Sequence, residues 1–373
     1  MDRAIDHEGL QFRSFGAAHR YYQGPGVLVK LGSVCADLGK TALLIADKTV
    51  ADLIYPIAQS SCINAGVSIE LLVSSGEVTH STVNDLQERI ALFDLPFEMV
   101  IAAGGGKGVD TGKAIAHEIG LPLIVVPTAA SNDGPCSSNF VIYSETHELL
   151  SVVHMKKNPD VVLVDTEVLI KAPKELLLSG IGDALCKLYE GEQVVAVGGK
   201  NTFGGTGTIA ASYLRQACDQ TIRENAEDAL KASESKSITP AFENLMEALV
   251  LLSGLAFENS GLSIAHSMTR GLTRAPGSHN SLHGQHVAYG LLVQWVMERR
   301  SGAFLERQIA FYKKIGLAQR LKDLGVLRND TGTLVEIAAG TLTAPHIKNF
   351  QVEVTQESLV RAMSYLEERE ETI

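Results

Sequence analysis

The feature that most constrains the fold of this 373-residue chain is a change of pattern at about Lys171. Before this residue, short apolar runs alternate with segments of helical periodicity. Repeated β-α-β units of this kind imply a parallel sheet covered by helices. The predicted buried strands are residues 41–47, 67–73, 99–103, 123–126 and 161–164.

Beyond Lys171, strand signals become rare and long helical stretches dominate. Pro173 and Pro240 stand where a helix begins, a position that tolerates the missing N–H of proline. The predicted helices are residues 173–192, 207–227, 240–269, 283–299 and 303–324. The sequence therefore predicts an α/β domain over residues 1–171, which holds a parallel sheet, and an all-helical domain over residues 172–373.

Composition limits the classes of partner. Lys and Arg total 32 against 43 Asp and Glu, a formal charge of −11, and a surface this acidic repels nucleic acid and anionic lipid. The charged N-terminus lacks the apolar stretch of a signal peptide, and no run approaches about 18 uninterrupted apolar residues. Five scattered cysteines without a C-x-x-C pair are typical of reduced thiols. We expect a cytoplasmic protein that binds neither nucleic acid nor membranes.

Gly104, Gly105, Gly106 and Lys107 lie directly between a predicted strand and a predicted helix. At such a turn, missing Cβ atoms let backbone N–H groups approach a diphosphate, and the helix N-terminus adds favourable partial charge. Lys107 is placed to pair with the phosphates. The alternative is a tight β-α connection without a ligand, because Val109 stands where G-x-G-x-x-G requires its third glycine or alanine.

Asp47 ends an earlier strand of the same predicted sheet. A carboxylate there accepts hydrogen bonds from the adenosine ribose and repels a 2′-phosphate, which favours NAD over NADP. The alternative for Asp47 is a helix N-cap. A second glycine motif, GTGTIA at residues 205–210, lies in the helical half without a β-α-β unit, so we do not assign it to a dinucleotide.

Three segments of the helical half place metal-ligand side chains on apolar helices. Asp183 follows SGIG, His266 ends GLSIAH, and His283 opens a helix that also contains His286. A buried unpaired carboxylate costs several kcal/mol, so Asp183 requires a partner or a cation. One carboxylate and two imidazoles form the ligand set of a catalytic zinc that keeps an open position. Histidines that only pack in the core are the alternative, and the pattern alone does not choose among His279, His283 and His286.

Four motifs, taken in order, resemble those of the glycerol dehydrogenase family within the iron-containing (group III) alcohol dehydrogenase superfamily. They are GGGKGVDTGK (residues 104–113), VPTAASNDGP (residues 126–135), SGIGD (residues 179–183) and LHGQHVAYG (residues 282–290). The resemblance implies an N-terminal α/β nucleotide domain, a helical C-terminal domain and an active site in the cleft between them. It also implies a homo-oligomer, often an octamer.

The resemblance implies a role for each matching residue. Asp183, His266 and His283 match the metal ligands, and Asp133 matches the residue that contacts substrate hydroxyls. We therefore expect Asp133 and His266 to act in catalysis and substrate binding, although an Asx-turn acid is the local alternative for Asp133. Asp47 matches the ribose-binding position. The other expected cofactor contacts are Gly104, Gly105, Gly106, Lys107, Thr128, Ser131, Ser137, Asn139 and Tyr143.

The chain departs from the family at several positions. The four-ligand iron enzymes carry a histidine four residues after the acid, where this chain has Lys187. A charged ammonium cannot ligate, so the site resembles the three-ligand type, which usually holds one zinc ion per subunit. The other departures are His286 in place of Lys, Asn132 and Gly134 in place of Thr and Ala, and Thr269 and Arg270 in place of His and Asn.

The residues and the resemblance together predict NAD-dependent, zinc-assisted oxidation of glycerol, or a related small vicinal diol, to dihydroxyacetone. A glycerol-1-phosphate dehydrogenase is one alternative, with Arg270 or Arg274 in a phosphate pocket. A lyase resembling dehydroquinate synthase, which recycles its NAD, is a second alternative. A nucleotide-binding protein without catalysis, whose histidines only pack, is the third.

Overall fold

The computed structural model describes residues 12–145 and 149–369. The strands are β1 (Arg20–Gly24), β2 (Thr41–Ala46), β3 (Ser68–Val73), β4 (Met99–Gly104), β5 (Leu123–Pro127), β6 (Asn139–Tyr143), β7 (Leu149–His154) and β8 (Val161–Asp165). Six of them form one sheet in the order β1-β8-β5-β4-β2-β3, and every neighbouring pair is parallel. The predicted fold class, a parallel α/β part followed by helices, is confirmed.

Helices cover both faces of this sheet. β4, β5 and β8 are buried along their whole length, as expected for the inner strands of a parallel sheet. Leu44 packs on one face with α1 (Leu31–Ala36) and α2 (Lys48–Asn64), whereas Leu43 packs on the other with α3 (His80–Ile90) and α4 (Gly106–Ile119). The alternation of side chains along β2 therefore separates two cores.

Three strands were absent from the sequence prediction. β1 forms an edge of the sheet beside β8, and β6 and β7 form a separate antiparallel hairpin. The side chains of β1 and β7 are half-buried or exposed, so neither strand has the continuous apolar run that revealed the inner strands.

The chain after β8 is helical. Its α-helices are α5 (Thr166–Leu169), α6 (Lys174–Ala196), α7 (Ile209–Glu234), α8 (Pro240–Glu247), α9 (Ser253–Ser260), α10 (Ile264–Leu272), α11 (His283–Met297), α12 (Gly302–Ile315), α13 (Thr331–Thr341) and α14 (Gln356–Glu368). α6 contacts both α7 and α11, and α10 packs on α11 and α13. The division into two domains at residue 171 stays a prediction.

Two predicted helices are interrupted by glycines. The segment predicted as one helix over residues 240–269 consists of α8, a π-helical turn (Ala248–Leu252) and α9, and it ends at Gly261, where φ is +94°. α12 likewise ends at Gly316, where φ is +90°, and a 3₁₀ turn (Leu321–Leu324) follows. Glycine at a positive φ is the usual C-terminal stop of a helix, and at Gly261 it allows a new helix to begin at the site described below.

One continuous helical stretch among the described residues, Pro240–Ser260, is long and apolar enough to cross a membrane. Of its most apolar window, 56% is buried inside the protein, and its helices pack on α6 and α7. This is the burial of a core helix.

Candidate active site

Asp183, His266 and His283 come together although they lie on three helices. Asp183 lies in the middle of α6, His266 in the first turn of α10, and His283 is the first residue of α11. His266 Nε2 is 3.1 Å from Asp183 Oδ1, and His283 Nε2 is 3.7 Å from the same oxygen. One donor atom from each residue lies within 4.8 Å of the others. Three such atoms are close enough together to bind one metal ion.

Glycines bring α6 against α11 at this point. A Cβ on Gly284 would lie 1.7 Å from Ser179 O, and a Cβ on Gly182 would lie 2.2 Å from Gly284 O. Ser179 Oγ also accepts a hydrogen bond from Gly284 N at 3.1 Å. Since only glycine permits this approach, these two glycines let the helices place Asp183 beside His283.

Buried Glu190, one helical turn beyond Lys187 and two turns beyond Asp183 on α6, orients His266. Its Oε1 accepts hydrogen bonds from the backbone N–H groups of Ser263 and His266 at 2.8 and 2.9 Å. Glu190 therefore caps α10, because the side chain of the N-cap residue, Ser263, makes no capping hydrogen bond. Its Oε2 lies 2.7 Å from His266 Nδ1. Burial would raise the pKa of Glu190, but the charge and hydrogen bonds of His266 lower it to about 2. The bond at Nδ1 leaves Nε2 to face Asp183, as in metal-binding histidines.

The ammonium of Lys187 joins the cluster to a loop of the α/β part. Its Nζ lies 2.9 Å from Asp183 Oδ1 and 2.8 Å from Asp133 Oδ2, and its side chain is fully buried. Asp133 N donates to Asp183 Oδ2 at 3.0 Å. Burial would lower the pKa of Lys187, but Asp133 and Asp183 raise it well above its usual value. Lys187 is therefore charged and offers no lone pair to a metal.

The charge and the donor set of this cluster fit a divalent cation. Asp133, Asp183 and Glu190 bring three carboxylates, which Lys187 neutralises only in part. Burial and Lys187 would lower the pKa of His266, but Glu190 and Asp183 raise it well above its usual value. A metal ion held at Nε2 would take the place of this proton. One carboxylate oxygen and two imidazole nitrogens are ligands that suit Zn²⁺.

Cys186, Glu190 and His266 form a second trio of donors at the same spacing. Burial raises the pKa of Cys186 to about 12, so the thiol stays protonated. Both oxygens of Glu190 already accept hydrogen bonds. The trio of Asp183, His266 and His283 is therefore the better metal site.

His286, the alternative to His283, lies one turn further along α11 and has no contact with Asp183 among the described residues. Its side chain is buried, and its Nε2 has no hydrogen-bond partner in residues 12–145 and 149–369. Burial and the charge of His283 lower the pKa of His286 to about 4. His286 is thus a neutral core residue.

The turn from β4 to α4 offers backbone donors. Gly104 has φ +149°, and a Cβ there would lie 2.9 Å from Gly108 Cα. Gly105, the N-cap of α4, supplies no side-chain hydrogen bond, so the N–H groups of the first helical turn are open to an anion. A Cβ on Gly105 would meet only Ala129 Cβ, at 3.9 Å. The turn therefore has the glycine cradle that a diphosphate requires.

Asp47 lies beside this turn, at the carboxyl edge of the sheet. β2 pairs with β4 so that Ile45 is opposite Ala102, which puts Asp47 level with Gly104. Its Oδ1 accepts from Val50 N at 2.9 Å, so the residue caps α2, as the alternative interpretation stated. The carboxylate is exposed and retains its other oxygen for a ribose hydroxyl.

Two expected cofactor residues lie next to the glycine turn, and a third pairs with an acid. Thr128 N donates to Gly104 O at 2.9 Å, directly after β5. Ser131 follows in the same loop, and its carbonyl accepts from Ser179 Oγ. Lys107 is mostly exposed, and its Nζ lies 2.8 Å from Glu77 Oε2. Thr128 and Ser131 therefore lie close to the turn.

Ser137 and Asn139 form hydrogen bonds within the protein, and Tyr143 is half-buried. Lys113 Nζ, completely buried, lies 3.2 Å from Ser137 Oγ and 2.8 Å from Asn139 O. The side chain of Asn139 bonds His154 Nδ1 at 2.6 Å. Burial raises the pKa of Tyr143 to about 12. The structure does not bring these three side chains into the metal cluster.

Sequence reasoning assigned no role to Lys113, Glu190 or Asn132. Lys113 Nζ donates to Gly134 O at 2.6 Å and so holds the loop that carries Asp133. Asn132 Oδ1 accepts from Gly134 N at 3.0 Å, which makes Asn132, rather than Asp133, the Asx-turn residue. A signal for Glu190 was present, because residues 183, 187 and 190 have the spacing of one helix face.

Known proteins resemble this chain in sequence and in structure. Residues 22–173 match the model of the iron-containing alcohol dehydrogenase family. The glycolaldehyde reductase of Halobacterium salinarum is 38% identical over 343 residues, which are 91% of this chain and 93% of that protein. The glycerol dehydrogenase of Escherichia coli is 34% identical over 339 residues, which are 91% of this chain and 89% of that protein.

The crystal structure of glycerol dehydrogenase from Schizosaccharomyces pombe has the same fold. It matches with a TM-score of 0.91 at 31% sequence identity, over 96% of this chain and 91% of that chain. The chain therefore belongs to the glycerol dehydrogenase family of the iron-containing alcohol dehydrogenases, and it is an oxidoreductase of alcohols or polyols.

Proposed function

We propose that the protein catalyses NAD-dependent, zinc-assisted oxidation of a small vicinal diol, and that glycerol is oxidised at its central carbon to dihydroxyacetone. Glycolaldehyde is a second candidate substrate, in the direction of reduction, because a glycolaldehyde reductase is among the similar proteins. Both substrates carry two oxygens on neighbouring carbons.

The observation that carries this proposal is the position of the loop that holds Asp133. On one side the loop meets the metal cluster, since Asp133 N donates to Asp183 Oδ2. On the other side it meets the glycine turn, because Asn132 Nδ2 occupies the space 2.6 Å from where a Gly106 Cβ would lie. A substrate bound at the cluster would thus lie close to a dinucleotide bound at the turn, which is what hydride transfer requires.

The protein's own residues divide the work. Asp183, His266 and His283 would hold the metal, and Glu190 fixes the ring of His266. When bound, Zn²⁺ supplies a Lewis acid that lowers the pKa of an alcohol, and NAD⁺ supplies the hydride acceptor. The glycine turn would bind the diphosphate. Asp133 would accept a hydrogen bond from the hydroxyl that does not react.

Zinc, rather than iron, is proposed from the ligands. Lys187 stands where a fourth ligand would follow Asp183 on α6, and its charged ammonium excludes that role. Three protein ligands of mixed oxygen and nitrogen type are typical of catalytic zinc, and such sites bind Zn²⁺ more tightly than Fe²⁺. Metal analysis of the purified protein by mass spectrometry tests the assignment, and stoichiometric iron would contradict it.

The phosphorylated substrate has weaker support. Arg270 Nη1 donates to Thr343 O at 3.3 Å, and Arg274 is exposed. Neither residue has a contact with Asp133, Asp183 or His266 among the described residues. Activity on glycerol 1-phosphate that exceeds activity on glycerol would favour this alternative.

A substrate panel tests the proposed function. The zinc-loaded protein is supplied with NAD⁺ or NADP⁺ and with glycerol, 1,2-propanediol, ethylene glycol or glycerol 1-phosphate. We expect NADH to accumulate with the diols and dihydroxyacetone to form from glycerol. The reverse reaction is followed with glycolaldehyde and NADH. Turnover without net NADH would support a lyase, and a zinc-loaded protein inactive on every alcohol would contradict the proposal.

Two further proposals concern the setting of the enzyme. All five cysteines are free and buried, which supports a location in the reducing cytoplasm, and cell fractionation tests this. We also propose a homo-oligomer, with an octamer as the expected size, on the basis of the family resemblance. Sedimentation of the purified protein measures the size directly.

A further inference from the structure

Lys187 is a buried cation for which the proposed reaction has no assigned use. Its Nζ carries three protons and has three polar neighbours: Asp133 Oδ2 at 2.8 Å, Asp183 Oδ1 at 2.9 Å and His266 Nε2 at 3.4 Å. On its apolar side it lies 5.8 Å from the ring centre of Phe257. Two of the three N–H groups thus donate to carboxylates, and the third is directed toward His266.

The third proton of Lys187 has no lasting acceptor in the protein. The distance to His266 Nε2, 3.4 Å, is long, and a metal ion held by this nitrogen would occupy its lone pair. Among residues 12–145 and 149–369, no other side-chain acceptor is hydrogen-bonded to Nζ. The two carboxylates therefore fix the position of the ammonium, and the ammonium in turn fixes the carboxylate of Asp133.

Asp133 and Lys187 form an ion pair in which only the acid is partly exposed. Asp133 Oδ2 and Lys187 Nζ are 2.8 Å apart, and the side chain of Asp133 is only 17% exposed. Lys187 is too deeply buried to touch a ligand, whereas the carboxylate of Asp133 can accept a hydrogen bond from a substrate hydroxyl. An alcohol without this hydroxyl forgoes a hydrogen bond to a charged carboxylate, which gives a basis for discrimination between substrates.

We propose that Lys187 positions the carboxylate of Asp133 to accept a hydrogen bond from the hydroxyl next to the reacting carbon, so that Lys187 is a positioning residue for the selection of vicinal diols and 2-hydroxyaldehydes over simple alcohols. The inference rests on the proposed function, because it names a specificity residue for that reaction. The competing explanation is that Lys187 only neutralises Asp133 and Asp183 and stabilises the fold.

The matched substrates 1,2-propanediol and 2-propanol separate these explanations. They differ by one hydroxyl on the carbon next to the one that is oxidised. In Lys187→Met we expect kcat/KM for the diol to fall about 10- to 100-fold more than kcat/KM for 2-propanol, the range for a hydrogen bond to a charged group. The control Lys231→Met removes an exposed lysine that pairs with Glu227, also at four-residue spacing, and should change neither. Equal losses on both alcohols would overturn the proposal.

A binding measurement keeps the test independent of turnover and of the variant's folding. The zinc-loaded wild-type protein is titrated calorimetrically with each alcohol, and its zinc content is measured by mass spectrometry. We expect 1,2-propanediol to bind at least about tenfold more tightly than 2-propanol, and Lys187→Gln, which retains an N–H donor, to keep part of this preference. Equal affinity of the wild-type protein for both alcohols overturns the proposal. Selective binding without NAD⁺ reduction supports it and contradicts the proposed function alone.

Discussion

The glycine turn and the metal cluster are built in opposite ways. The turn uses the backbone of three consecutive residues between β4 and α4, and it depends on side chains being absent. The cluster uses side chains that are far apart in sequence, such as Asp183 and His266, 83 positions apart. Their charges are buried and depend on each other.

This difference teaches which changes each region tolerates. In the turn, any added Cβ alters the approach of a ligand, but no charge is left without a partner. In the cluster, removal of one charged side chain leaves a buried charge without its partner, which is among the most destabilising changes in a protein. Substitutions in the two regions should therefore affect different measured quantities.

The largest effect is expected from His266→Ala. Loss of this ligand should lower the metal content to background and reduce kcat/KM for a diol about 10³-fold, because a Lewis acid is worth several kcal/mol. The affinity for NADH, measured by fluorescence titration, should not change. His80→Ala, at an exposed histidine that begins α3, is the control. A large loss of NADH affinity in His266→Ala would show that the two regions are not separate.

Glu190→Gln tests the support of the metal cluster. The amide weakens the bond to His266 Nδ1, so metal affinity should fall about 10- to 100-fold while the binding of NADH persists. The control is Glu192→Gln, two residues further on the same helix, where the carboxylate is half exposed and pairs with Arg300 at 3.4 Å. Competition with a zinc chelator measures both affinities, and equal values for the two variants would contradict the proposed role of Glu190.

The same contrast determines what the sequence could predict. The inner strands and the turn after Gly104 were predictable, because an apolar run and a glycine cluster are local signals. The pairing of Asp183 with His266 was expected from the family resemblance, since no local pattern measures a distance between helices. The interruption at Gly261 was missed. It lets the chain begin a new helix, α10, whose first backbone N–H groups are capped by Glu190.

Lys187 shows a second limit of prediction. The sequence established that its ammonium is no ligand, but not that it would bridge two carboxylates from different parts of the chain. Asp133 lies in a loop, and a loop gives no periodicity from which to predict the direction of a side chain.

Gly105→Ala tests the glycine turn. The added Cβ has space, with its nearest neighbour at 3.9 Å, so the fold should be retained. It should hinder the approach of the diphosphate and weaken NADH binding about tenfold, or ~1.4 kcal/mol, while the metal content stays the same. Gly302→Ala, at a helix start with nothing within 4 Å, is the control. Unchanged NADH affinity in Gly105→Ala would place the dinucleotide elsewhere.

The smallest effect on metal and cofactor binding is expected from His286→Leu, which separates the two histidines of α11. The pKa of His286 is lowered to about 4 by burial and by His283, from an ordinary value of 6.5. The unfolded chain therefore binds more protons, so this residue's contribution to stability is complete above pH 6.5 and is lost as the pH falls toward 4.

In the wild-type protein His286 should lower the free energy of unfolding by about 2 kcal/mol between pH 7 and pH 5. His286→Leu removes this contribution and also the unpartnered Nε2, so unfolding curves in denaturant should depend less on pH while the metal content stays unchanged. A loss of metal in this variant would mean that His286, and not His283, completes the cluster. An unchanged pH dependence would show that His286 is not the buried neutral histidine of α11.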